Sequence, residues 1–310
     1  MSSLEEEILK IHQIEDSKIH LRMSEYYGMD NILKEYLQLP TILPLKYTVY
    51  LEHGISIMPD YINLKLQEVK NELIFVNTSH RKKYLEKHLS CQVEVLGPLA
   101  IHFRRMKGIV QSEKAEGTLI FPSHSSHHAD SVFDWEKYAD SLLSFPDALR
   151  PLKICLYWKD FLLERQHIFL DRGFEVTTNG HLYDKEHVAK IYKNIREAKF
   201  LSGNSISSAF FYGLEMGIPA FVYGDEVILK ASEKKYETVK NKSDNKYLAK
   251  AYKVLQRSDF KQEISVSEEI QKLRGFYIDE EHWISVSKAR KLAMNKLIPS
   301  LVKKGLSLMK

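Results

Sequence analysis

Short apolar runs closed by turn residues recur along the chain, and each predicts a buried β-strand. Three such runs lie in the first third of the sequence and end at His53-Gly54, Asn77-Thr78-Ser79 and Gly97-Pro98. In the middle of the chain, similar runs alternate with segments of helical period. The five strands predicted there are 118–121, 152–157, 173–177, 199–202 and 220–223, and the intervening helices are 134–143, 161–170, 187–198 and 205–216. This alternation predicts a parallel, doubly wound α/β sheet.

Both ends of the chain show a helical pattern instead. Residues 1 to about 45 contain few strand signals, and residues 232–310 are rich in Lys, Glu and Ser. The last predicted helix, 287–310, is basic, has no acidic residue and carries apolar residues near helical spacing. We expect its apolar face to pack on the N-terminal domain; the alternative is that it rests on an anionic membrane surface.

Composition narrows the class of protein. The 310 residues are 44% hydrophobic and 28% charged, which is typical of globular proteins and excludes disordered and collagen-like chains. The net charge of +4 is too small to indicate a nucleic-acid-binding protein. Only two cysteines are present, which excludes a disulfide framework, and the N-terminus is acidic where a signal peptide would be basic. We therefore expect a cytoplasmic protein.

A polar stretch at 111–117 interrupts the apolar pattern and predicts a linker. We expect an N-terminal domain at 1–112, a second domain at 113–265, and C-terminal helices at 266–310 that pack back on the N-terminal domain.

Ligands of open α/β sheets bind beyond the carboxyl ends of the strands, so the residues after each strand are the candidates for function. After the strand 118–121 come His124, Ser125 and His127, whose hydroxyl and imidazole groups suit an oxyanion. Two alternatives remain at this point: a structural loop, and a zinc site that uses the i, i+4 spacing of His124 and His128.

The segment Gly203-Asn204-Ser205-Ile206-Ser207-Ser208 follows the fourth strand and opens a helix. Free N–H groups and the positive end of the helix dipole, together with Ser205, Ser207 and Ser208, predict a phosphate site. The alternative is simple N-capping by Ser205 or Asn204.

Two further strand ends carry weaker signals. Thr178, Asn179 and Gly180 favour a turn first and a nucleotide contact second. Asp225 follows the fifth strand and suits either a sugar hydroxyl or a helix cap. In the first third of the chain, Glu52 and His53 end a strand and are candidates for a general base, with a buried structural histidine as the alternative.

In their order and spacing, these stretches are similar to those of a known class of enzymes. The segments 52–54, 93–98, 117–128, 173–180 and 201–223 resemble the GT-B class of glycosyltransferases of bacterial surface polysaccharide, capsule and lipopolysaccharide biosynthesis. The resemblance covers about residues 45–226. It implies two Rossmann-like domains that face a cleft, with a small N-terminal domain and a helical C-terminal tail.

The resemblance also implies a reaction and a site. The C-terminal domain would bind a nucleotide-sugar donor, with His124, Ser207 and Ser208 at positions that contact phosphate in the family. His53, beside Glu52, would serve the acceptor, a glycan or a lipid-linked molecule. No cofactor or metal is expected, since a metal-binding Asp-x-Asp motif is absent from the sequence. A position at the inner membrane face is the alternative to a purely cytoplasmic one.

Other functions of the same fold stay open. A nucleotide-sugar epimerase and a polyol-phosphate transferase would share the phosphate site. A non-catalytic, degenerate GT-B subunit is favoured by one feature, the short N-terminal domain.

Overall fold

The computed structural model describes residues 2–17, 21–62, 69, 72–125, 129–231 and 245–308, and the chain divides into two units. Unit 1 comprises Met1–Ile19 and Ile109–Arg274, and unit 2 comprises His20–Gly108 and Gly275–Lys310. Residues 1–19 thus group with the sheet of the second half of the chain, and not with the residues up to 112 as the sequence analysis expected.

A five-stranded parallel sheet forms the centre of unit 1. Its strands are β4 (Thr118–Ile120), β6 (Leu152–Leu156), β7 (Glu175–Thr178), β8 (Phe200–Gly203) and β9 (Ala220–Val222). They lie in the order β7-β6-β4-β8-β9, which is the order of a Rossmann fold. Most side chains of these strands are buried, because helices cover both faces of such a sheet. The chain order reverses between β4 and β8, so a ligand site is expected there.

The helices of unit 1 fall between these strands, except for one at the N-terminus and one after β10 (Ile228–Ala231). They are α1 (Ser3–Asp16), α5 (Trp135–Leu142), α6 (Trp158–Leu162), α7 (Gln166–Leu170), α8 (His187–Arg196), α9 (Ser208–Glu215) and α10 (Lys246–Leu255), with a 3-10 turn at Asp147–Leu149. The single helix expected at 161–170 is split in two. Glu164 adopts a left-handed backbone with φ of 55°, which an α-helix does not contain.

A two-stranded antiparallel sheet was not predicted. The strand β5 (Ala129–Val132) pairs with β10 (Ile228–Ala231), across almost 100 residues of chain. The loop after β4 therefore leads into a strand, which ties it to the segment after β9.

Unit 2 contains a smaller parallel sheet in the order β1-β2-β3. Its strands are β1 (Val49–Leu51), β2 (Leu73–Val76) and β3 (Gln92–Val95), and its helices are α2 (Met29–Tyr36), α3 (Ser79–His88), α4 (Leu99–Met106) and α12 (Val286–Leu308). The boundary between the two units at Gly275 falls within α11 (Glu268–Ile278). Short 3-10 turns occur at Met23–Gly28, Leu45–Tyr47 and Glu280–His282. The predicted α/β class is confirmed, with parallel sheets of Rossmann-like type, a small N-terminal sheet and a helical C-terminal tail.

The C-terminal helix α12 packs within unit 2 through small and apolar side chains. Ala289, Ala293 and Leu297 are at most 1% exposed, and Arg290 donates to the carbonyl of Leu37 at 2.5 Å. This contact agrees with the expectation that the tail packs back on N-terminal residues. Within the described ranges, no helix has the length and apolar character that a bilayer crossing requires.

Candidate functional site

The carboxyl ends of β4 and β8 lie side by side where the strand order reverses. The backbone N–H of Phe121 donates to the carbonyl of Ser202 at 2.7 Å, and that of Ser123 donates to Oδ1 of Asn204 at 2.7 Å. Gly203 permits this approach, because a Cβ there would lie 2.2 Å from the carbonyl oxygen of Phe121. Direct hydrogen bonds therefore hold together the two loops from which the phosphate site was predicted.

Helix α9 begins without a side-chain cap. Ser207 occupies the N-cap position, and its side chain makes no capping bond. The two residues expected as caps bond elsewhere: Asn204 accepts from Ser123, and Oγ of Ser205 lies 3.2 Å from the phenol oxygen of Tyr252, which donates to it. The Oγ of Ser207 is buried and has no hydrogen-bond partner among the residues that the structure describes. This helix start therefore offers an anion a hydroxyl group as well as the helix dipole.

The other predicted hydroxyl groups bond inside the protein. The side chain of Ser208 bonds the phenol of Tyr212, one turn along α9. Ser125 is 1% exposed and accepts from the N–H of Ser131 in β5 at 3.0 Å. The hydroxyl of Ser131 also donates to that of Ser123, at 2.8 Å. Ser125 thus fixes the loop after β4 against β5, and Ser208 is left with its backbone N–H to offer.

His124 is held by an aromatic neighbour. Its ring stacks on that of Tyr157, with centroids 3.9 Å apart, and its Nδ1 lies 3.2 Å from the carbonyl of Ser125. Removal from water by the surrounding protein lowers the pKa of His124, although the residue keeps an exposed part. The lowered pKa favours the neutral imidazole, a hydrogen-bonding group, over the cation that suits an oxyanion by charge. His127 and His128 lie outside the described residues.

Tyr157 was not among the predicted site residues, although it stacks on His124. Tyr157 comes directly after β6 (Leu152–Leu156), at the strand end where ligands of such sheets bind.

The segment Thr178-Asn179-Gly180 forms a turn that satisfies its own polar groups. The hydroxyl of Thr178 accepts from the N–H of Gly180 at 3.0 Å, and the Asn179 side chain bonds both Asn194, at 3.0 Å, and the Cys155 thiol. Gly180 has a φ of 79°, as a tight turn requires. The side chains are thus committed to the turn, and a ligand contact here would fall to the backbone.

A buried polar cluster of His181, Asp184 and His187 lies next to this turn. None of these residues was predicted to belong to the site. His187 begins α8, and burial lowers its pKa to about 3 even though Asp184 acts in the opposite direction. His181 is 1% exposed; its Nδ1 accepts from the N–H of Tyr183 at 3.1 Å, and its Nε2 lies 2.9 Å from the carboxylate of Glu15. Both imidazoles are therefore structural groups rather than free acids or bases.

Helix α1 joins unit 1 through ion pairs with this cluster. Asp184 accepts from Lys190 at 2.8 Å and from Lys10 at 3.1 Å, and Lys190 also pairs with Glu7 at 2.5 Å. Burial favours the neutral form of Asp184, but the hydrogen bond from Lys190 and the other contacts outweigh it and lower its pKa. Since these partners are far apart in sequence, no local sequence pattern predicts the contact between α1 and the cluster.

Asp225, at the carboxyl end of β9, pairs with Lys137 at 2.5 Å. Both side chains are exposed, and both line a cavity of about 300 Å³ that also reaches Asn204. The structure therefore places Asp225 on a cavity next to the loop after β8, and a sugar contact there stays a prediction.

In unit 2, Glu52 is held in a buried ion pair. Its Oε1 accepts from Nε of Arg81 at 2.5 Å, with side-chain exposures of 7% and 5%. Arg81 also donates to the backbone carbonyls of Pro59 and Tyr61. A carboxylate fixed in this way is poorly placed to take a proton from a substrate, so the contact favours a structural role for Glu52.

His53 is half-buried against two aromatic rings. Its centroid lies 5.8 Å from that of Tyr26 and 5.6 Å from that of Tyr27, and Tyr27 has a left-handed backbone with φ of 61°. A role of His53 as a base stays a prediction.

Asp160, in the first turn of α6, is fully buried with only one of its two oxygens bonded. Its Oδ1 accepts from Nη1 of Arg165 at 2.7 Å, and Oδ2 has no hydrogen-bond partner within the described part of the chain. Burial raises the pKa of Asp160 to about 6, in spite of the opposing charge of Arg165.

Replacement of Asp160 by Asn should change how stability depends on pH. Between about pH 4 and 6 the native state binds a proton at Asp160 that the unfolded chain releases, so this group lowers the free energy of unfolding as pH rises. We measure the free energy of unfolding in urea for the wild type and for Asp160→Asn at pH 4.5 and 7.5. Relative to the wild type, the variant should be about 2 kcal/mol more stable at pH 7.5 than at pH 4.5. A difference that is the same at both pH values would contradict the raised pKa. The exposed Asp171→Asn change controls for removal of one negative charge.

Within the described ranges, one group of acidic and histidine side chains is close enough to hold a metal. Ligand atoms of Asp279, Glu281 and His282 lie within 4.8 Å of one another. Asp279 already accepts from the N–H of Ser79 at 2.5 Å and from His282 at 2.7 Å. These bonds explain the cluster as the tie between α3 and the turn after α11.

Comparison with known proteins adds a likeness in fold. No protein-family model matches the chain, and no curated protein matches it. Among solved structures, the chain is similar to S. aureus MnaA in a co-structure with UDP, with 14% sequence identity and a TM-score of 0.41. The match covers 90% of this chain and 71% of that one. At this identity and TM-score, the likeness assigns neither a family nor an activity.

Proposed function

We propose that the chain is a glycosyltransferase that moves a sugar from a nucleotide-sugar donor to a surface-polysaccharide acceptor, without a metal. The observation that carries the proposal is the uncapped start of α9 at the reversal point of a Rossmann-like sheet. Ser207 sits there with a buried hydroxyl that has no hydrogen-bond partner among the described residues. A buried polar group without a partner costs free energy, which a bound anion recovers.

The donor phosphates would lie at this helix start. The hydroxyl of Ser207 and the N–H of Ser208 would donate to phosphate oxygens, and the helix dipole would favour their charge. His124 would donate from neutral imidazole, oriented by Tyr157. Such donors stabilise the negative charge that develops on the leaving phosphate during transfer.

The predicted nucleoside and acceptor contacts keep their proposed roles with two changes. The nucleoside would meet the backbone of Thr178, Asn179 and Gly180, since their side chains are bonded within the turn. His53 is the proposed base for the acceptor hydroxyl. Glu52 would not contact the substrate, and its ion pair with Arg81 would hold the end of β1, and so His53, in place. The acceptor is proposed to be a glycan or a lipid-linked molecule of capsule or lipopolysaccharide synthesis.

Binding of a nucleotide should depend on Ser207. In a thermal-shift screen of UDP, GDP, CDP, CMP and dTDP, one nucleotide should raise the melting temperature, because a ligand at 100 times its Kd stabilises the native state by about 2.7 kcal/mol. The change Ser207→Ala should weaken binding of that nucleotide about tenfold, by loss of the charge-assisted hydrogen bond from its hydroxyl. Ser208→Ala should have a smaller effect, because its backbone N–H remains. The exposed Ser144→Ala change provides a matched control and should leave binding unchanged.

Two other outcomes would favour other functions. Stabilisation by a nucleotide together with turnover of a nucleotide sugar in the absence of any acceptor would favour an epimerase. No stabilisation by any nucleotide would contradict the proposal and favour a non-catalytic subunit.

A further inference from the structure

Two consecutive residues of the loop between β8 and α9 are held by other segments of unit 1. The side chain of Asn204 accepts from the N–H of Ser123, in the loop after β4. Ser205 is bonded by Tyr252 of α10, whose phenol O–H donates to Oγ of Ser205 over 3.2 Å. The approach to the proposed phosphate site is therefore fixed from two directions, by the loop after β4 and by α10.

Tyr252 has a fixed position, because α10 packs against β9. Its side chain is 7% exposed. Just past the helix, the backbone N–H of Arg257 donates to the carbonyl of Val222 in β9 at 2.8 Å. Burial raises the pKa of Tyr252 and outweighs the opposing hydrogen bonds with Ser205 and the backbone of Ile206. The phenol therefore keeps its proton and presents it to Ser205.

The bond from Tyr252 decides where the hydroxyl proton of Ser205 can point. A serine hydroxyl has one proton and two lone pairs, and here one lone pair accepts from the phenol. The proton of Ser205 must point away from Tyr252, and it meets no acceptor among the residues that the structure describes. Ser205 is only half-buried and precedes the N-cap Ser207 by two residues. A hydroxyl donor thus lies beside the helix start to which the proposed function assigns the phosphates.

We propose that Tyr252 is a positioning residue of the donor site, which directs the hydroxyl proton of Ser205 to a phosphate oxygen. The oxygens of an ionised phosphate accept hydrogen bonds, and a hydroxyl that is already oriented loses less rotational freedom when it donates to them. The phenol also polarises the hydroxyl, since hydrogen bonds in a chain strengthen one another. Ser205 would bind the phosphates together with Ser207, and Tyr252 would act through Ser205 without touching the ligand. This inference rests on the proposed function, because it adds residues to the same phosphate site.

The test is a double-mutant cycle for nucleotide binding, measured by isothermal titration calorimetry of UDP, GDP, CDP, CMP and dTDP with the full chain. For the nucleotide that binds, Ser205→Ala should raise the Kd about tenfold, as expected for loss of a hydrogen bond to a charged group. Tyr252→Phe removes only the phenol oxygen and should raise the Kd about fivefold, since a freely rotating hydroxyl must be ordered on binding. The two changes together should raise the Kd no further than Ser205→Ala alone, because Tyr252 acts through Ser205.

Tyr277→Phe is the matched control for Tyr252→Phe. The phenol of Tyr277 is also buried and donates a hydrogen bond, to the carbonyl of Ile57 at 3.0 Å, but it lies in unit 2. Both changes should lower the melting temperature to a similar extent, because each removes a buried hydrogen bond. Only Tyr252→Phe should change the Kd, which separates positioning of Ser205 from a general loss of stability.

Two results would overturn the inference. One is a Tyr252→Phe variant that binds the nucleotide as tightly as the wild type. The other is a double variant whose Kd rises about fiftyfold, the product of the two single effects, since additive losses indicate independent roles. If no nucleotide binds to the wild type, the proposed function fails together with this inference. If binding depends on Ser207 but on neither Ser205 nor Tyr252, the proposed function stands and this inference alone fails.

Discussion

Arg81→Ala should lower the free energy of unfolding by about 3–5 kcal/mol, since it leaves the carboxylate of Glu52 buried without a counter-charge. The side chains of the pair are 5% and 7% exposed, so solvent compensates little of the loss. Arg81 also satisfies two backbone carbonyls, those of Pro59 and Tyr61, which would lose their donor. Urea unfolding, followed by a probe in unit 2, measures the change.

A second variant separates charge from packing in this result. Replacing both partners, as Arg81→Met with Glu52→Leu, should recover a large part of the lost stability, because an apolar pair leaves no buried charge. A loss below 1 kcal/mol for Arg81→Ala would show that the pair is open to water. In that case the proposal that Glu52 acts only through Arg81 would fail, and the result would favour Glu52 as a general base.

Gly203→Ala should destabilise unit 1 by about 3 kcal/mol and abolish nucleotide binding. An added Cβ would meet the carbonyl oxygen of Phe121 at 2.2 Å, and this oxygen belongs to backbone that cannot rotate away. Overpacking of a close contact typically costs about 1–3 kcal/mol, with the larger values where relief is blocked. Here relief requires β4 and β8 to separate, which would break the bond from Ser123 to Asn204.

Gly275→Ala is the matched control for this prediction. Gly275 lies inside α11 with no atom within 4 Å of the added Cβ, so the change should stabilise the protein by roughly 0.5–1 kcal/mol. Chemical unfolding of both variants, with nucleotide titration of Gly203→Ala, provides the measurement. If Gly203→Ala bound nucleotide as well as the wild type, the phosphate site would not lie at the junction of β4 and β8.

Buried strands of a parallel sheet could be predicted almost to the residue, because their signal is local. The run Leu73-Ile74-Phe75-Val76 is apolar throughout, and all four side chains are at most 2% exposed. The start of α9 was placed three residues too early, at Ser205. Serine is favoured at N-cap positions, and this segment has three serines that could each fill one. The hydroxyl of Ser205 accepts a hydrogen bond from Tyr252 of a distant helix, which the sequence does not reveal, and Ser207 is the N-cap.

The candidate site could be predicted where it follows strand ends and could not where it depends on contacts between distant segments. His124, Ser207 and Asp225 were reached by the strand-end rule. Tyr138 on α5 and Arg257 after α10 line the same cavity as Asp225 but were not predicted, since their sequence patterns are typical of core and exposed positions. Only the fold brings them to the ends of β8 and β9.

The placement of α1 in unit 1 has a consequence for synthesis on the ribosome. Its partners Asp184, Lys190 and His181 follow it by 166 to 183 residues. At translation speeds of about 5–20 residues per second, roughly 10–35 s pass between the synthesis of α1 and that of the residues on which it packs. Unit 2 waits longer still, since it needs residues 275–310. The part of the chain that is made between the two, residues 109–274, therefore completes its unit first, and the nascent protein matures from the middle of its sequence outward.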